Sequence, residues 1–193
     1  MGRTPKITRE KALRSAMTLF WSQGYSATTL DQIQEAVGLQ RGSLYSYFES
    51  KEKLFHEALE LYQEEIVSKR KDLVRNAPSA KEGIELFFSI LIDHSIQNRS
   101  FPGCLNTNSA AELAVIDKKI ASRARLGLKS WEAFWIEIIE HGKSEGDISE
   151  NRDSAELARL IITLTQGINV VSKVNPDRTY LNGIAKSGLS LIN

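Results

Sequence analysis

Apolar residues recur at three- and four-residue spacing almost throughout the chain, the period of helices that pack by one face. Ala12, Ala16, Leu19 and Phe20 form the first such stripe, predicting a helix over about Thr8–Gln23. Thr8 supplies its N-cap, Glu10 an acidic first turn, and Gly24 its stop. A second helix, Leu30–Val37, opens on a capping box of Thr29 and Gln32. It turns Ile33, Ala36 and Val37 inward and ends at Gly38. Leu39 begins a turn, and a short third helix spans Arg41–Phe48. Ser50 caps a fourth from Lys51, with Leu54, Phe55, Ala58, Leu61 and Tyr62 as its buried stripe.

Beyond residue 75 the chain is divided by Pro78, Pro102 and Pro176. One helix is predicted over about Ala80–Asn98, with Ile84, Phe87, Phe88, Leu91 and Ile92 inward. A shorter one starts near Pro102 and ends near Leu113. A long one, Lys118–Ser144, buries Trp131, Phe134, Trp135, Ile138 and Ile139. Asp153 caps the next, Ser154–Val174, and Pro176 opens a last helix through about Leu189. Alternating strand patterns, repeats and low-complexity tracts are absent from the sequence. The expected fold is all-α, a three-helix head over residues 1–50 and a larger helical body over 51–193. The last two helices are apolar on more than one stripe, which calls for burial on most sides. That predicts a helix-pair interface in a homodimer.

Composition narrows the class. The 193 residues are 41% apolar and 25% charged, an ordinary globular balance. No apolar run approaches the roughly 18–20 residues of a membrane span, and the N-terminus lacks a secretory apolar core. A single cysteine fits a reducing compartment. The expected location is therefore cytoplasmic, with no membrane partner. His56, His94 and His141 sit in no metal-ligand spacing, so neither metal nor cofactor is expected. No nucleophile–base arrangement or phosphate loop points to an enzyme. Net charge is +1, yet residues 1–55 carry eight Lys/Arg against five Asp/Glu. That excess permits a polyanion partner for the head.

The charge surrounds QRGSLYSYFESKEKLF, Gln40–Phe55. Helix two, a glycine-containing turn and a short helix three have helix-turn-helix spacing. Ile33, Ala36, Leu39, Leu44 and Phe48 supply its small core, which sends Gln40, Arg41, Ser43, Tyr45 and Tyr47 elsewhere. Arg41 can donate two hydrogen bonds to guanine, Gln40 can pair with adenine, and Ser43 with several base edges. Gly42 removes a side chain and lets the backbone approach the bases. The tyrosine hydroxyls and Lys51 can bond phosphates, as can N–H groups opening helices two and four. Spacing alone leaves a second reading open, half-buried tyrosines beside a solvated basic face on an αα corner that binds nothing.

The stretch TTLDQIQEAVGLQRGSLYSYFESKEKLF, with the preceding ALRSAMTLFWSQGYSATT, resembles the N-terminal domain of the TetR family of bacterial transcriptional regulators. The match covers about residues 8–62 in one register. The resemblance implies a DNA-binding head, a ligand-binding and dimerising body, and repression relieved by a small molecule. It implies double-stranded DNA with a palindromic operator as partner. Its base-contacting positions fall on Gln40, Arg41, Gly42 and Ser43, and its phosphate-contacting positions on Thr29, Tyr45, Tyr47 and Lys51. Many members carry histidine where Tyr47 stands. The competing class is a non-specific or architectural DNA binder without an effector, for which a larger and more widespread charge is expected.

In the body, RSFPGCLNTNSAAELA, Arg99–Ala114, is similar to a subgroup of TetR-like regulators, some of which respond to electrophiles or oxidants through this cysteine. Pro102 and Gly103 would place Cys104 in the first turn of a helix, where positive partial charge favours a thiolate. His94, Arg99 and, from the penultimate helix, Lys173 are candidate neighbouring cations. Lacking a second cysteine, the thiol would act through an adduct, a sulfenic acid or its condensation with nitrogen, or a bond between subunits. As a small apolar core filler it would sense nothing. An alternative effector site is an apolar pocket lined by Phe87, Phe88, Phe101, Trp131, Phe134 and Trp135, with Asn106, Thr107, Asn108 and Ser109 for orientation. The same aromatics at helical spacing also make an ordinary core.

Overall fold

The computed structural model describes residues 7–98, 100 and 103–191. Arg3, Pro5, Lys6, Arg99, Phe101 and Pro102 lie outside them. Among the described residues there are helices and no strands. They are α1 (Arg9–Gln23), α2 (Leu30–Val37), α3 (Arg41–Phe48), α4 (Lys51–Tyr62), α5 (Lys69–Arg75), α6 (Ala80–Gln97), α7 (Leu105–Leu113), α8 (Lys118–Ser144), α9 (Ser154–Val171) and α10 (Arg178–Leu189). A π-helical stretch, Gln63–Ser68, carries the chain from α4 into α5. The chain divides into two compact units at Val67/Ser68.

In the first unit the capping chemistry is as the sequence predicts. Thr8, Thr29 and Ser50 each accept a backbone N–H three residues on, and Thr29 with Gln32 closes a full capping box. Gly38 ends α2 in the left-handed region at φ 68°, a conformation open to glycine at little cost. Helix α4 belongs to this unit because its apolar stripe packs on α1. Phe20 meets Phe55 edge-on at 5.0 Å, and Trp21 meets Tyr62 at 4.8 Å.

Four apolar assignments change in this unit, one of them Leu39, which is half-buried rather than core. Met17 and Trp21, not Leu19, complete the buried face of α1, and Leu59 replaces Leu61 on α4. Ala36 is exposed, because α2 buries only Ile33 and Val37, and Ala36 lies roughly 80° round from the centre of that face. Periodicity defines a stripe to within a residue, and the neighbouring helix decides its edges.

The link between α3 and α4 is strained. Glu49 sits at φ 60° and ψ −46°, and the Ser50 N–H reaches back to the Phe48 carbonyl at 2.6 Å, a γ-turn. A non-glycine residue there costs about 1–3 kcal/mol, against roughly 1 kcal/mol for the added freedom of an unfolded glycine. Glu49→Gly should therefore stabilise the head by about 1 kcal/mol, a rise of about 2–4 °C in thermal melting. A lower melting temperature would show that the turn is unstrained in solution. The Glu49–Lys53 ion pair lost with it is exposed and contributes little.

The second unit is built round α6. Ile84, Phe87, Phe88, Leu91 and Ile92 are buried with Phe134, Trp135, Ile138 and Ile139 of α8 and Leu157, Ala158 and Ile161 of α9. Ser79, Asp117, Asp153 and Asp177 cap α6, α8, α9 and α10. Helix α9 stops at Val171, short of Val174, and α10 begins after its Asp177 cap rather than at Pro176. Val170 on α9 and Tyr180 on α10 are exposed, as are Val174 and Leu191 just beyond the two helices. An open groove of about 800 Å³ between these helices is lined by Leu160, Leu164, Tyr180, Ile184, Gly188 and Leu191, among others.

Helix α5 is fastened to α8 by cations on aromatic faces. Lys71 Nζ lies 4.7 Å from the Trp131 ring centre and donates to the carbonyl and hydroxyl of Ser130 at 3.0 Å. Burial, with Arg75 adding to it, holds the Lys71 ammonium below the usual lysine range, and Glu137 opposes the shift. Arg75 lies over Phe134 at 5.0 Å and grips Glu137 with two nitrogens.

Candidate nucleic-acid and effector sites

Helix α3 separates two kinds of residue within eight positions. Leu44 and Phe48, 3% and 1% exposed, face Ile33 and Leu54 across the head core. Gln40, Arg41, Gly42 and Ser43 are exposed, and a Cβ added at Gly42 would meet open space. Gln40 occupies the N-cap without a side-chain cap bond. Neither its amide nor the first-turn N–H groups are closed off by a capping side chain. Polar groups at this end of α3 thus present donors and acceptors outward, the arrangement a helix needs to read base edges.

The flanking residues are more committed. The Arg41 guanidinium lies over the Tyr45 ring at 5.7 Å, one turn on, so the ring limits where the cation can point. Tyr47 is half-buried, its hydroxyl 3.5 Å from the Ile7 carbonyl. Thr29 spends its hydroxyl within the capping box, accepting from Gln32 N–H at 3.2 Å. Lys51 Nζ sits 4.2 Å from the centre of the Tyr25 ring, which lies tilted against Phe55 with centres 4.7 Å apart. Sequence reasoning missed Tyr25 as a platform for Lys51. It also missed Arg9, which donates to Glu57 and to the Tyr47 carbonyl. Only residues far apart in sequence make these contacts, so no local spacing could have revealed them.

In the body, the chain turns at Gly103, φ 72°. A Cβ there would sit 2.8 Å from the Asn169 carbonyl and 3.2 Å from Lys173 Cε, so both conformation and close approach to α9 require glycine. Cys104 is the N-cap residue of α7, one place before the first turn where the sequence reading put it. It is half-buried, and its carbonyl accepts from the Asn108 N–H at 2.8 Å. Lys173 Nζ donates to Asn108 Oδ1 at 2.6 Å. Cys104, Asn108 and Lys173 therefore gather at one place, where α7 opens against the end of α9. His94 instead pairs with Asn98 at 3.2 Å. Nearby, Asn169 Oδ1 on α9 and Ser172 Oγ at its C-cap are buried with no hydrogen-bond partner among the described residues.

Phe88, Trp131 and Trp135 form a second grouping. Trp135 and Phe88 are each 1% exposed, and Phe87 meets Phe88, Trp131 and Trp135 at 5.7, 5.4 and 5.0 Å. These rings are packed against one another, Phe88 and Trp135 within the core and Trp131, predicted to be buried, half-buried at its edge. Among the described residues no His/Cys/Asp/Glu group could hold a metal ion, and no helix is long and apolar enough to cross a membrane.

Comparison with known proteins follows the same division. Residues 12–58 match the sequence model for bacterial regulatory proteins of the tetR family, and residues 80–187 match the tetracyclin repressor-like C-terminal domain. The chain is 31% identical to the HTH-type transcriptional regulator YxaF of Bacillus subtilis (strain 168), covering 93% of this chain and 92% of that one. It is 26% identical to the HTH-type transcriptional repressor ComR of Escherichia coli (strain K12), over 98% and 91%. A solved structure of the TetR family transcriptional regulator CifR, a cysteine mutant bound to 26-bp operator DNA, superposes with a TM-score of 0.88 at 28% identity, each chain fully covered. The chain belongs to the TetR family of bacterial regulatory proteins and is a helix-turn-helix transcriptional regulator.

Proposed function

We propose that this regulator is a repressor that binds a palindromic operator as a homodimer and is released by a small-molecule or electrophilic effector. The observation that carries the DNA reading is the division of α3, with Leu44 and Phe48 buried and Gln40–Ser43 exposed. Arg41, Gln40, Ser43 and the Gly42 backbone read base edges, while Tyr45, Tyr47, Lys51 and the N-terminus of α2 at Thr29 hold phosphates. Two such heads reach successive major grooves when they are about 34–36 Å apart. The exposed apolar residues of α9 and α10, with the groove between them, supply the dimer face.

For the effector, the grouping of Cys104 with Asn108 and Lys173 supports a thiol site better than the packed aromatics support a pocket. Release follows if the modified or liganded form favours a head separation unsuited to DNA. The test is selection of bound DNA from a random library, with and without N-ethylmaleimide, for wild type and Cys104→Ser. A palindromic site released by the reagent only in wild type supports the whole reading. A palindromic site indifferent to the reagent keeps the DNA reading and removes the thiol effector. No enriched site overturns sequence-specific binding.

A further inference from the structure

A charged side chain from another helix reaches the face of α3 that does not meet DNA. Arg9, at the start of α1, donates from Nε to the Tyr47 carbonyl at 3.3 Å. Its guanidinium carbon stands 4.8 Å from the centre of the Phe48 ring. Its Nη2 meets Glu57 Oε2 on α4 at 2.5 Å. One planar cation thus joins α1, the last turn of α3 and α4.

The last turn of α3 needs such a group. The final carbonyls of a helix lack intrahelical partners and carry negative partial charge, which a cation normally answers from the same turn. Helix α3 has no basic residue in its last turn. Arg9 supplies the missing charge from outside. Just before it, Ile7 reaches the turn between α2 and α3, its Cδ1 lying 2.5 Å from where a Cβ on Gly38, the C-cap of α2, would stand. The segment Ile7–Arg9 therefore touches both the turn into α3 and the last turn of the helix. A helix tied at its last turn, and through the turn that leads into it, has a restricted tilt and axial position, and base readout depends on both.

We infer that Arg9 is a positioning residue for DNA recognition, anchored by Glu57, and that it sets the pose of α3 rather than holding a phosphate. This rests on the DNA reading above. The two roles give opposite expectations for Glu57→Gln. If Arg9 gripped phosphate, removing its carboxylate competitor would free the cation and tighten binding. If Glu57 anchors Arg9, the same substitution loosens α3 and weakens the cognate site.

The experiment measures binding of the wild-type-selected site and of scrambled DNA across a salt series, for wild type, Arg9→Ala, Arg9→Lys, Glu57→Gln and the Arg9→Ala/Glu57→Gln double variant. Thermal melting checks folding of each. The expected result is a roughly tenfold loss on the cognate site for Glu57→Gln, the scale of one charge-assisted hydrogen bond. Scrambled DNA is bound as before, and the double variant is no worse than Arg9→Ala. Arg9→Lys, which keeps the charge but lacks the planar fork, behaves like Arg9→Ala. A merely structural role would lower cognate and scrambled binding together. Cognate binding by Glu57→Gln equal to or tighter than wild type overturns the proposal alone. So does a salt slope reduced by about one in Arg9→Ala, the mark of a lost phosphate contact. A wild type that selects no site overturns the DNA reading and the proposal with it.

Discussion

Phe48→Ala should destabilise the head by about 3–5 kcal/mol and abolish operator binding at 25 °C. Phe48 is 1% exposed and closes the small core made with Ile33, Leu44 and Leu54. A unit of this size buries little apolar surface, so it cannot absorb the loss of one ring. Arg9 would also lose the face on which its guanidinium rests, 4.8 Å away. Amide exchange in α2 and α3 should accelerate roughly a hundredfold or more, the equivalent of about 3 kcal/mol. Phe48→Leu keeps most of the volume and should cost less than about 1.5 kcal/mol. Equal exchange rates in Phe48→Ala and wild type would mean that the head core lies elsewhere.

Arg41→Ala should cost about 1–3 kcal/mol of discrimination at one base pair, a loss of roughly 5- to 150-fold on the selected site. The side chain is exposed and lies over Tyr45, so its removal leaves no cavity and melting should not change. Binding to scrambled DNA should fall far less. The contrast is Lys51→Ala, a candidate phosphate contact held on Tyr25, for which cognate and scrambled binding should fall together. If Arg41→Ala weakens both DNAs equally, Arg41 grips backbone and the reading passes to Gln40 and Ser43.

The two variants separate what stability and recognition ask of one short helix. Leu44 and Phe48 lie four residues apart and point the same way, which leaves the residues before and between them for the outer face. That arrangement was legible in the sequence because it is local. The caps at Thr8, Thr29 and Ser50 and the stop at Gly38 were legible for the same reason, since each acts within three or four residues of itself. The long apolar periods of α6 and α8 likewise announced the body core, and every inward residue read for α6 is buried.

Contacts between distant positions were not legible. Arg9 with Glu57, Lys51 with Tyr25, Lys71 with Trp131, and Lys173 with Asn108 join residues whose spacing obeys no period. Thiol chemistry makes Lys173 a candidate long-range cation for Cys104, and the geometry gives its partner as Asn108. The edges of the stripes escaped too, at Ala36, Leu19 and Leu61, because the neighbouring helix covers one flank and not the other. Local rules thus determined the helices, their ends and the outward face of α3, since helix propensity, capping and amphipathic spacing act over a single turn. Tertiary structure decided which cations rest on which rings and which carboxylate holds Arg9, since those choices arise only when separate helices meet.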